Sequence, residues 1–123
     1  MTIAFTHREL DVMAILWDQG PSTVAEVRDR LEDTLAYNTV LTVLRTLEEK
    51  GFADHVEDGR AHRYYPLVAR EDAGTSALAR LVGKVFSGSP ELLLTQLVSD
   101  RTLGRAELQR MRQLLDERLK EEP

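Results

Sequence analysis

A winged helix, mainly α with a small β wing, is the fold that this sequence predicts, and three observations predict it. Two short amphipathic segments lie across a brief turn between Ser22 and Lys50. A strand-like stretch turning at Asp58-Gly59 follows directly, and leucine-bearing helical patterns fill the rest. A helix–turn–helix followed at once by a two-stranded hairpin places its second helix in a DNA major groove.

Helix one spans about His7 to Asp18. Thr6 with Glu9 three residues on is a capping box, each side chain satisfying a free backbone N–H. Leu10, Met13, Leu16 and Trp17 recur at helical spacing and predict its buried face. Gln19-Gly20-Pro21 stops it, since glycine tolerates left-handed geometry and proline cannot continue the ladder. Helix two follows with Ser22 or Thr23 as cap, and Glu26 is expected to complete a second box with Thr23. Val24, Val27 and Leu31 form its inner stripe, leaving Arg28, Asp29 and Arg30 outward. The connection Glu32 to Ala36 is as short as a helix–turn–helix requires.

Helix three spans about Tyr37 to Lys50 and ends at Gly51. Val40, Val43, Leu44 and Leu47 supply its buried stripe, so Asn38, Thr39, Thr42, Arg45 and Thr46 fall on the other side. That face is polar near the helix start, where a recognition helix meets base edges. In the hairpin, Asp58-Gly59 as a two-residue turn with positive φ at both positions fixes a register. Glu57 then faces Arg60, His55 faces His62, Asp54 faces Arg63 and Ala53 faces Tyr64, with two opposite-charge pairs supporting the ladder. Pro66 ends the second strand.

From about Arg70 the pattern is helical again. Ala77 to Phe86 is apolar-rich and closes at Ser87-Gly88-Ser89. Pro90 suits the first turn of a short helix carrying Leu92, Leu93, Leu94, Leu97 and Val98. A last helix, Arg105 to about Lys120, aligns Leu108, Met111, Leu115 and Leu119. These stripes have little within one chain to pack against, and an unpartnered apolar stripe usually meets a partner chain. Homodimerisation through Leu93, Leu97, Leu108, Met111, Leu115 and Leu119 is therefore expected. Residues 1–68 are read as a DNA-binding domain and 69–123 as a helical dimerisation segment.

Composition narrows the function classes. The chain has 123 residues, 42% hydrophobic and 30% charged, as an ordinary globular protein would. It has no apolar run long enough to span a bilayer, and its start, MTIAFTHREL, does not resemble a secretory signal, so cytoplasmic residence is expected. Zero cysteines exclude disulfides and thiolate metal sites. The net charge is -5, made of -4 up to Arg70 (eight basic against twelve acidic residues) and -1 beyond it (eight against nine). That balance runs against a strongly basic nucleic-acid binder, yet screening confines each charge to roughly 8–10 Å at physiological salt. The local run GRAHRYY, Gly59 to Tyr65, has two arginines and no acid.

No catalytic constellation is assembled. His7, His55 and His62 sit outside any metal-hydrolase motif, and there is no phosphate loop or nucleophile elbow. His55 and His62 across the hairpin would make half a zinc site, but a structural zinc takes four ligands, and cross-strand pairing accounts for the neighbouring Asp54 and Glu57. No cofactor and no metal are expected. Arg60 and Arg63 near the hairpin tip are candidates for phosphate contact. Arg45 is placed either to reach guanine or to pair with Glu48 or Glu49. Trp17 belongs to the core rather than to a base-stacking surface.

The segments THRELDVMAILWDQGPSTVAEV, AYNTVLTVLRTLEEKGF and EDGRAHRYYPLV resemble the penicillinase-repressor group, the BlaI/MecI/CopY family. The likeness is strong over roughly the first 70 residues and looser in the tail ending AELQRMRQLLDERL. It implies a dimeric winged-helix repressor on a dyad-symmetric operator of double-stranded DNA. In that group an inducing signal often arrives through a membrane sensor-protease that cuts the dimerisation region. The corresponding positions here are near Gln96-Leu97, where the asparagine–phenylalanine pair of the staphylococcal members is absent. Lacking cysteine, the chain also lacks the copper-sensing tail motif of the copper-responsive branch. The expected function is thus a transcriptional repressor that blocks transcription until a signal weakens the dimer. The alternative is a winged-helix module for protein–protein contact without a DNA role.

Overall fold

The computed structural model describes residues 3–123. Met1 and Thr2, which begin the amino-terminal stretch read for a secretory signal, lie outside the described residues. Among the described residues, six helices and three strands follow in chain order. Helix α1 (His7–Gln19) starts on the expected capping box: Glu9 N–H donates to Thr6 Oγ1 at 3.1 Å and Thr6 N–H to Glu9 Oε1 at 2.8 Å. Its buried face is Glu9, Val12, Met13 and Leu16, whereas Leu10, expected inside, is 46% exposed. The stripe is rotated because Glu9 turns inward to the Lys50 ammonium, 2.7 Å from its Oε2. Trp17 is half-buried, with its indole N–H donating to the Val68 carbonyl at 2.8 Å.

Strand β1 (Ser22–Thr23) is a two-residue element that periodicity did not disclose. Helix α2 (Val24–Arg30) is capped by Thr23 Oγ1, which accepts from Glu26 N–H at 3.2 Å. The second capping box closes on one side only. The Glu26 carboxylate is taken instead by Arg63, which faces Thr23 across the sheet. Helix α3 (Tyr37–Glu49) buries Val40, Leu44 and Leu47 completely, with Val43 partly covered. It ends with φ +83° at Gly51, whose N–H reaches the Glu48 carbonyl while Phe52 N–H reaches that of Leu47. A left-handed residue there releases the chain straight into the wing.

The wing consists of β2 (Ala53–Asp58) and β3 (Ala61–Pro66), and β3 is the middle strand of a sheet ordered β1-β3-β2. Its register differs by two residues from the sequence reading: His55 faces Tyr64, Glu57 faces His62 and Asp58 faces Ala61. The turn residues are Gly59 and Arg60, and only Gly59 has positive φ, at +63°. An Asp-Gly pair serves a type I′ turn with glycine second, but glycine first gives a type II′ turn, and the chain adopts that alternative. The expected Glu57–Arg60 and Asp54–Arg63 pairs are therefore lost, and Arg63 bonds Asp58 Oδ2 at 2.5 Å instead.

The core joins α1, α2 and α3 to the root of the wing through Val12, Met13, Leu16, Val27, Leu44, Leu47 and Tyr64. Helix α4 (Arg70–Lys84) begins at Arg70, where the helical pattern was read to resume, and ends two residues before Phe86; Ala73 is buried and Ser76 Oγ donates to the Ile3 carbonyl at 3.0 Å. The chain divides into two compact units, the first ending at Leu78 and the second starting at Ala79. The second contains α5 (Pro90–Val98), capped by Ser89, and α6 (Arg105–Glu121). No residue of this second unit is buried within the single chain. No helix among the described residues is long and apolar enough to cross a membrane.

Candidate nucleic-acid interface

A face of α3 and the tip of the wing are held by the same core, because Leu47 and Tyr64 belong to one buried cluster. Packing Val40, Leu44 and Leu47 inward leaves Asn38, Thr39, Thr42 and Arg45 exposed, with Thr46 half-buried. The start of α3 carries no acid in its first turn and no side-chain cap, so its backbone N–H end and dipole are left open to an anion. Two threonines are partly committed. Thr42 Oγ1 donates to the Asn38 carbonyl and Thr46 Oγ1 to the Thr42 carbonyl, each at 2.9 Å. Their hydroxyl protons are used internally, and what they present outward is an acceptor oxygen and a methyl group. Such a surface suits an exocyclic base amine or a thymine methyl better than a phosphate oxygen.

The three candidate arginines differ in what holds them. Arg45 meets neither Glu48 nor Glu49, and among the described residues it has no carboxylate partner. It lies near the buried Tyr64 phenol, whose pKa is raised by burial first and by the Glu48 charge second, with Arg45 partly opposing the shift. Arg60 is exposed in the turn and likewise has no carboxylate partner among the described residues. Arg63 is bound on two sides. Its Nε meets Asp58 at 2.5 Å and its Nη1 meets Glu26 Oε1 at 2.8 Å, which together raise its pKa further. Arg63 thus braces the wing against α2, while Arg45 and Arg60 offer unspent charge.

His55 and His62 are diagonal rather than opposite, and their rings stack at 4.4 Å with 12° between planes. His55 is half-buried, and its Nδ1 lies in short contact with Glu48 Oε1. Helix α3 thereby adds a carboxylate to the histidine pair that hairpin spacing alone did not contain. In the second unit, Leu93 and Met111 are half-buried. Leu97, Leu108, Leu115 and Leu119 are exposed, joined by Leu114, which sequence reasoning passed over.

The penicillinase repressor family profile matches residues 5–117. The chain belongs to that family. Penicillinase repressors are transcriptional repressors, not enzymes. Among relatives, the transcriptional regulator BlaI of Mycobacterium tuberculosis is 34% identical over 113 residues, covering 89% of this chain and 80% of that one. The methicillin resistance regulatory protein MecI of Staphylococcus aureus is 24% identical over 119 residues, covering 95% and 97%. The solution structure of Bacillus licheniformis BlaI, monomeric and in complex with the blaP half-operator, superposes with a TM-score of 0.50 at 28% identity, covering 58% of this chain and 90% of that one. A MarR family protein from Bacillus stearothermophilus shares the fold, with a TM-score of 0.53 at 19% identity over 97% of this chain and 76% of its own.

Proposed function

We propose that this member of the penicillinase repressor family is a dimeric, sequence-specific DNA-binding protein that occupies a dyad-symmetric operator in the cytoplasm and blocks transcription. Residues 1–68 take the DNA-reading role and residues 69–123 the dimerising one. The observation that carries this reading is the polar outer face of α3, where Arg45 has no carboxylate partner among the described residues, beside a wing whose tip carries Arg60, equally without one. Asn38, Thr39, Thr42, Arg45 and Thr46 read base edges, and Arg60 contacts phosphate with Arg63 setting the wing. The complex of Bacillus licheniformis BlaI with the blaP half-operator supports a DNA-docking role for the shared fold.

Dimerisation is supported by the exposed leucines of α5 and α6 and by the lack of any buried residue in the second unit taken alone. A twin copy would cover Leu97, Leu108, Leu115 and Leu119, and joining two half-site contacts multiplies modest affinities. An inducing signal, relayed by a membrane sensor-protease in one version, relieves repression by weakening this dimer. Gln96 and Leu97 are exposed but lie inside α5, so cutting there requires local unfolding of that helix.

The test is a competition mobility shift. A specific duplex, recovered by selection, should outcompete bulk DNA by about 10³-fold or more. Arg45→Ala should relax base preference at one position per half-site, since a bidentate guanine contact is worth about 1–3 kcal/mol. A protein that binds no duplex selectively would instead be a module for protein contact.

A further inference from the structure

Where the last turn of α3 meets the start of β2, three side chains outside the DNA-facing set converge. Glu48, Asp54 and His55 each offer one ligating atom, and these atoms all lie within 4.8 Å of one another. Donors so spaced can share a centre roughly 2–3 Å from each, which is the range of metal–ligand bonds.

Internal hydrogen bonding explains part of this arrangement. Glu48 Oε1 meets His55 Nδ1, and Asp54 Oδ1 accepts the His55 backbone N–H at 2.8 Å. It does not explain the charge. Glu9 is matched by Lys50, Asp18 by Arg70, Asp33 by Arg8, and Glu26 with Asp58 by Arg63. Among the described residues, Glu48 and Asp54 meet no lysine or arginine, and one imidazole cannot neutralise two carboxylates. Like charges held this close repel unless a cation lies between them.

We propose that Glu48, Asp54 and His55 bind a divalent first-row transition ion of the zinc class, with water in the remaining positions. An imidazole donor favours such an ion over magnesium or calcium, which prefer oxygen throughout. The frame is already rigid. The His55 ring is stacked on His62 at 4.4 Å and lies 5.2 Å from the buried Tyr64 ring, so its plane is held before any ion arrives. Glu48 comes from a helix and the other two donors from a strand. A bound ion therefore fastens the end of α3 to the root of the wing. None of the three residues belongs to the proposed DNA-contacting set, so the site stands or falls apart from the DNA reading.

The experiment uses the full chain, stripped of metal and free of DNA, titrated with Co²⁺ by visible absorption and with Zn²⁺ by calorimetry. One equivalent per chain is expected, with a Zn²⁺-dependent rise in melting temperature that an equal concentration of Mg²⁺ does not produce. His55→Gln and Asp54→Asn should each weaken binding by about tenfold or more. His7→Gln, which removes the exposed histidine at the start of α1, should leave it intact. Should His55→Gln fail to fold, Asp54→Asn decides. Sub-stoichiometric binding at micromolar metal, equal effects of Mg²⁺ and Zn²⁺, or equal losses in His7→Gln and Asp54→Asn would overturn the proposal.

Discussion

Arg60 and Arg63 are three residues apart on the same wing, yet the structure assigns them opposite electrostatic roles, and salt titration distinguishes the two. Counterion release lowers log affinity with log salt by about 0.9 for each phosphate that a protein cation neutralises. Arg60 has no carboxylate partner among the described residues, so its whole charge is available. In a dimer on a full operator, Arg60→Ala removes two such contacts and should flatten the slope by about 1.8. The ratio of wild-type to variant affinity should then shrink about tenfold between 50 and 200 mM salt. Arg63 is already neutralised by Asp58 and Glu26, at 2.5 and 2.8 Å. Arg63→Ala should weaken binding by unmasking two acids and loosening the wing, with little change in slope. Glu26→Gln should act in the opposite direction, freeing part of the Arg63 charge and steepening the salt dependence. Fluorescence anisotropy with one labelled operator across a salt series is sufficient. An Arg63→Ala slope as flat as that of Arg60→Ala would refute the bracing role.

Three further outcomes follow from packing and titration. Glu9 is buried; burial alone would raise its pKa, but the Lys50 ammonium and the Thr6 N–H outweigh that and hold it below its ordinary 4.5. Its ionised form therefore contributes stability above that pH and loses it as pH falls through the depressed value. Glu9→Gln should destabilise by about 1–2 kcal/mol at neutral pH, discounted because Lys50 is partly exposed, and denaturation curves should show the gap closing in acid. Leu44→Ala leaves a cavity among fully buried neighbours and should cost about 2–5 kcal/mol in urea unfolding. A Leu115→Glu, Leu119→Glu double variant should be monomeric in analytical ultracentrifugation and bind a half-operator no worse than wild type does.

Elements with strong local chemistry were legible in the sequence, and those decided by distant partners were not. The capping box at Thr6 and Glu9, the glycine at position 51 and the stripe of α3 follow from adjacent residues, and the structure places them as read. Leu10 was misplaced because Glu9 is drawn inward by Lys50, 41 residues away. The wing register slipped by two because Asp58-Gly59 satisfies two turn types locally. A two-residue slip keeps every side chain on its face, so alternation could not detect the error. Strand β1 is two residues long and exists only through pairing with β3. Of the candidate site, the polar face of α3 was visible from spacing, but the separation of Arg60 from Arg63 was not. That distinction depends on Glu26, 37 residues from Arg63.

A net charge of -5 argues against DNA only if charge is spread evenly, and here it is not. In the first unit, Glu9, Asp11, Asp18, Glu26, Asp33 and Asp58 are each engaged by a basic side chain. The first turn of α3 contains no acid, and among the described residues Arg45 and Arg60 have no carboxylate partner. Phosphate at the start of α3 and the wing tip would therefore meet Arg45, Arg60 and a helix end before the sum over the chain, with the unmatched acids Glu48 and Asp54 set back at the last turn of α3 and the wing root. With two free arginines on that face, the sequence-independent part of binding is expected to be weak. On the proposed reading, selectivity would rest on hydrogen-bonding groups such as Asn38 and Thr42, whose contribution does not depend on counterion release. On that reading an acidic repressor would give up affinity for bulk DNA while keeping its preference for the operator, so a sparsely charged contact face and a polar helix face would act together.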